Sequence, residues 1–127
     1  MARSRRRAKD AGREFATSIV VTLAERFPEL AEHLDRRVQS GALDRGDIAG
    51  LPGVAIEAKC HANYGGQLPE WLKQAEIERV NAGAELAVVW HKRVGKSGAA
   101  EAYVTCTGAT YMELLAAWLA QRKVERP

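Results

Sequence analysis

The stretch Asp47-Ile48-Ala49-Gly50-Leu51-Pro52-Gly53-Val54-Ala55-Ile56-Glu57-Ala58-Lys59 decides how this chain folds. Its second half alternates, and the spacing predicts a strand over Val54–Lys59. Val54, Ile56 and Ala58 fall on one face, and Ala55, Glu57 and Lys59 on the other. Leu51-Pro52-Gly53 is a turn signal, so Asp47 precedes a tight connection between two extended segments. If those segments pair as a hairpin, Asp47 approaches Glu57. Two carboxylates brought together repel, and burial raises the cost. A divalent cation resolves that conflict, and hard oxygen ligands suit Mg²⁺ or Mn²⁺. The ammonium of Lys59 then stands beside the metal, placed to orient a water or help deprotonate it. Metal-assisted attack on a phosphodiester uses these parts.

Upstream, Phe15, Ile19, Leu23 and Phe27 recur every fourth position, which predicts an amphipathic helix over residues 11–27 that Pro28 ends. Glu14 lies at the edge of its apolar stripe near the helix start, where the helix dipole favours a carboxylate. Glu32 to Ser40 reads as a short strand. Downstream, Pro69 can open a helix that carries Leu72, Ala75, Ile77 and Val80 and stops at Asn81-Ala82-Gly83. Leu86 to Trp90 is a continuous apolar run, as in a strand buried on both faces. Ala102 to Thr107 is a further strand, and Thr110 with Glu113 resembles a capping box opening a last helix through Trp118. The expected whole is a single α/β domain over residues 1–127, with residues 1–10 as a flexible basic arm.

With 127 residues, 46% of them hydrophobic and 28% charged, the chain excludes collagen-like and low-complexity classes. No apolar run approaches the roughly 20 residues of a membrane helix, and the basic N-terminus lacks the apolar segment of a secretory signal. A cytoplasmic protein with no membrane partner is expected. Two cysteines and three scattered histidines offer neither a disulfide framework nor a zinc site. The net charge is +3, gathered in Arg3, Arg5, Arg6, Arg7 and Lys9, in Arg36, Arg37 and Arg45, and in Lys92, Arg93 and Lys96. Such patches point to a polyanion, most often nucleic acid; the plainer alternative is a solubilising tail.

Asp47, separated by nine residues from Glu57-Ala58-Lys59 on an apolar strand, resembles the PD-(D/E)xK nuclease signature. The opening Gly12-Arg13-Glu14-Phe15 looks like the start of the archaeal-type and phage Holliday-junction resolvases of that superfamily, and the likeness extends from Gly12 to about Leu115. It implies the restriction-endonuclease-like α/β fold, a central mixed sheet of about four or five strands flanked by helices. It also implies metal ligation by Asp47, Glu57 and the Ala58 backbone carbonyl, and a water-orienting role for Lys59. Glu14 would complete the site through a water or a second metal. Gln74 matches an accessory glutamine on the following helix, with Glu76 and Glu78 as rival candidates. Gly46 stands where the signature has proline.

The function so implied is an Mg²⁺-dependent DNA endonuclease (Mn²⁺ substituting) acting on four-way junctions. Two strands to cut symmetrically suit a homodimer. Arg5, Arg6, Arg7, Lys9, Arg13, Arg36, Arg37, Arg45, Lys92 and Arg93 would bind phosphates rather than bases. Two other readings stay open: the same chemistry on linear or nicked duplex, and a non-catalytic DNA-binding module whose acidic pair is a surface accident.

Overall fold

The computed structural model describes residues 5–37, 45–61, 64–96 and 98–122. Helix α1 (Arg5–Arg26) begins six residues before the expected Ala11. The run Arg5-Arg6-Arg7-Ala8-Lys9 consists of strong helix formers, so residues 5–10, expected on an arm, form its first turns. Phe15, Ala16, Ile19 and Leu23 bury the predicted stripe against Leu34, Ile48, Ile56, Val88 and Ala99. Each large side chain so buried contributes on the order of 1.5–3 kcal/mol.

Strand β1 (Asp35–Arg36) pairs antiparallel with β2 (Ile48–Ala49), Arg36 opposite Ile48. Of the expected 32–40 strand only these two residues are extended among the described ones, and positions 38–40 lie outside the described residues. Gly50, at φ +90°, closes the ribbon where any Cβ would collide with the His33 carbonyl. Strand β3 (Val54–Lys59) has the predicted bounds. Helix α2 (Leu68–Ala82) carries the chain over to β4 (Leu86–His91), which lies parallel to β3 with Glu57 opposite Val89 and Lys59 opposite His91. Strand β5 (Tyr103–Thr105) adds antiparallel to β4. On the face of β3 and β4 away from α1, Trp71 and Ala75 of α2 pack on Ala87 and Val89. The faces assigned by alternation are therefore those observed.

The single central sheet is not what the structure contains. It has a three-stranded mixed sheet, β3-β4-β5, and the separate two-stranded ribbon. The 45–49 segment meets β3 through a backbone bond from Asp47 N to Ile56 O (2.8 Å) and then through the Asp47 side chain, so the ladder does not continue. Helix α3 (Gly108–Arg122) starts earlier than Thr110 and runs beyond Trp118. Its cap is Thr107, whose Oγ1 accepts from Thr110 N (3.2 Å), which puts the capping position three residues upstream of the one expected. No helix among the described residues is long and apolar enough to cross a membrane.

Candidate active site

The site is built on the outer edge of β3. Gly46 enters it at φ +94°, and a Cβ there would stand 3.0 Å from Ile56 O. A proline, fixed near φ −65°, does not fit this backbone. Asp47 follows, and its Oδ2 accepts a 2.7 Å hydrogen bond from Ala58 N. Charge-assisted bonds of this kind are worth about 1.5–3 kcal/mol. In a strand the N–H and C=O of one residue leave on the same side, so the Ala58 carbonyl also emerges beside Asp47. Arg37 N is bonded to Asp47 O (2.7 Å), which ties the end of β1 to the same place.

Glu57 is buried in the middle of β3 with its side chain 6% exposed, and the Lys59 Nζ lies 3.1 Å from its Oε1. The two share a face because they are two positions apart. A carboxylate this far from water needs a cation close by, and Lys59 supplies it. The same Nζ donates to Gln74 Oε1 (3.2 Å) from the first half of α2. Gln74 thus reaches Lys59 from α2. Glu76 instead accepts from Arg79 Nε (2.9 Å), and that bond holds its carboxyl below the ordinary range against the opposing effect of burial, with the guanidinium charge adding a lesser push downward. Glu78 is fully buried, its Oε2 3.7 Å from where a Cβ on Gly46 would lie.

A cavity of about 520 Å³ opens on this edge, and its lining includes Asp47, Glu57 and Ala58 together with Lys9, Arg13, Arg36 and Arg37. Arg37 Nε is buried and has no hydrogen-bond partner among the described residues. Glu14 is exposed and lines an adjoining cavity of about 380 Å³, which shares Arg13 and Arg36 with the first. The structure thus brings together Asp47, Glu57, Ala58, Lys59 and Gln74 but sets Glu14 one cavity away. Arg6 and Arg7 are exposed on the first turns of α1, which Arg5 opens, and Arg45 is exposed just ahead of Gly46. Lys92 and Arg93 follow β4 at the Lys59 end of the sheet, where Lys92 N bonds Lys59 O (2.9 Å).

Among the described residues no group of three or more His, Cys, Asp or Glu side chains is arranged to hold a metal ion. The donor set on offer is two carboxylates and a backbone carbonyl. These are hard oxygens, and Mg²⁺ ordinarily takes one or two carboxylates and keeps several waters. The residues fit that cation.

His91 was not picked out by the sequence as part of this neighbourhood. It is 1% exposed, and its Nε2 lies 2.7 Å from Thr105 Oγ1, while Nδ1 has no partner among the described residues. Burial pushes its pKa below the ordinary histidine value, so the ring is neutral at pH 7. Tyr64 (4.5 Å between centroids), Tyr103 (6.0 Å) and Trp71 (6.2 Å) enclose it. The signal available in the sequence was positional, since Lys59 and His91 each end an apolar strand. Compared with protein-family models, with curated proteins and with solved structures, the chain matches none.

Proposed function

We propose that this protein is a metal-dependent DNA endonuclease with a restriction-endonuclease-like fold, cutting phosphodiester bonds in branched DNA such as four-way junctions. One observation carries the proposal: Asp47, docked on Ala58 N (2.7 Å), and Glu57, paired with Lys59 (3.1 Å), line one cavity with Lys9, Arg13, Arg36 and Arg37. A carboxylate cluster set among cations suits a cation and a polyanion bound together. Asp47, Glu57 and the Ala58 carbonyl would hold Mg²⁺, which supplies Lewis-acid polarisation of the phosphate and a more acidic water.

The chain's own groups do the rest. Lys59, fixed by Glu57 and Gln74, presents N–H donors that orient the attacking water and offset charge developing on the phosphate. Arg37, which lines the cavity, would turn its guanidinium to a phosphate oxygen, and Lys9, Arg13 and Arg36 would grip the flanking backbone without reading bases. The preference for branches rests on the likeness of Gly12-Arg13-Glu14-Phe15 to junction resolvases.

The test is cleavage of synthetic junction, flap and linear duplex side by side, in Mg²⁺ and in chelator. Asp47→Asn keeps an oxygen for Ala58 N, and Glu57→Gln and Lys59→Met keep side-chain length. Each should lower cleavage by about 10²–10³-fold with junction binding retained. Wild-type cleavage by all three variants overturns the site. Equal rates on the three DNAs leave a duplex nuclease, and binding without cleavage in any divalent metal leaves a DNA-binding module.

A further inference from the structure

Helix α3 is amphipathic in the reverse sense to that of a helix on a monomer. Ala109, Thr110 and Glu113 face the body across a gap of about 420 Å³ shared with Leu72, Glu76 and Arg79 of α2. At 100° per residue, Ala116, Ala117 and Ala120 follow them on that inner side. The large apolar residues turn outward, with Tyr111 56%, Met112 63%, Leu114 42%, Trp118 56% and Leu119 48% exposed. Among the described residues of this fifteen-residue helix none is buried. Side chains of these types present roughly 150–250 Å² each when free, so the patch amounts to about 500 Å². Monomers rarely leave that much contiguous apolar surface in water without using it.

We propose that α3 is a dimerisation element whose outer face packs against the same face of a second copy of this chain. Two such patches would bury about 1,000 Å², the lower bound of a specific protein–protein interface. Tyr111, Leu115 and Trp118, with Met112, Leu115 and Leu119, give the spacings of a helix–helix seam. The set is symmetric about Leu115: Tyr111 mirrors Leu119, and Met112 mirrors Trp118. An antiparallel crossing over Leu115 therefore places each large side chain opposite another across a twofold axis, as an isologous contact requires. It also keeps apart the two Arg122 guanidinium groups, each lying 5.4 Å over its own Trp118 ring; a parallel crossing would bring them together. The proposal does not rest on the nuclease reading, although a twofold assembly would also supply two cutting sites.

Sedimentation equilibrium of the full chain tests it. The wild type should give twice the 13.9 kDa chain mass at micromolar concentration. Trp118→Glu, at a position already facing water, should give the single-chain mass with an unchanged circular dichroism spectrum. Leu115→Glu and Leu115→Lys should each be monomeric, and their mixture should regain the dimer mass. A monomeric wild type, a Trp118→Glu variant that stays dimeric, or a wild type that leaves solution only onto anionic vesicles would each overturn the proposal. The mass is read without DNA or metal, so it is independent of cleavage.

Discussion

Replacing Lys59 with Met keeps the stem and removes the cation that compensates Glu57. At the observed 3.1 Å separation, Coulomb attraction at an effective dielectric constant near 20 is about 5 kcal/mol. Holding the two groups away from water opposes it by several kcal/mol. The variant keeps the cost of the buried carboxylate and forfeits the attraction, and the bond to Gln74 goes with it. The expected loss is about 2–4 kcal/mol, measured by urea unfolding at neutral pH in chelator. Adding Mg²⁺ should then stabilise Lys59→Met more than wild type, because a cation held by Glu57 replaces the missing charge. The double variant Glu57→Gln/Lys59→Met, with no buried charge left, should return to within about 1 kcal/mol of wild type and lose the response to Mg²⁺. A Lys59→Met protein as stable as wild type, or an equal Mg²⁺ effect on all three proteins, would refute the reasoning.

Neutralising Arg36 and Arg37 together as Gln should weaken junction binding and lower the slope of log affinity against log salt by about 1 for each phosphate left without its cation; an unchanged slope in a fluorescence titration removes the cavity from the DNA interface. Burial lowers the His91 pKa, so the fold favours the neutral ring. The stability it contributes is complete above the unfolded value near pH 6.5 and is lost as the pH falls toward the folded value. His91→Phe should therefore show a smaller fall in Tm than wild type between about pH 8 and about pH 5, and parallel Tm curves would contradict this. Gly50→Ala sets a Cβ against the His33 carbonyl at a positive φ, so thermal unfolding should show a loss of at least about 2 kcal/mol; a neutral effect would mean the ribbon is not held as described.

Which parts of this were legible in the sequence follows from what each signal measures. Period-two alternation reports faces directly, so Val54–Lys59 and its two sides were readable, as was the fourfold stripe from Phe15 to Leu23. The Pro-Gly turn suggested that Asp47 returns to Glu57, and both do line one cavity. The means of return was not readable: a carboxylate accepts from the strand edge where a ladder was expected, and the sheet divides there. Charge alone does not separate a solvated arm from a helix, and because Arg and Lys are good helix formers α1 extends back to Arg5. Thr107 and Thr110 are both plausible caps by composition, and only the hydrogen bond separates them. Periodicity gave α3 an apolar face without saying which way it points. Glu14 falls on the predicted helix, yet helix phase alone could not tell which of two neighbouring cavities it lines.

Because β3 is the outermost member of its sheet, the Ala58 amide would otherwise be a vacant rung open to strand addition by another chain. Asp47 fills it with a carboxylate, a group no foreign strand can extend. The residue proposed to hold metal would also shield this edge. Truncating it to Ala should yield a protein that is both inert and inclined to associate edge to edge, so loss of function in that variant must be separated from loss of dispersed material, and Asn is the cleaner substitution.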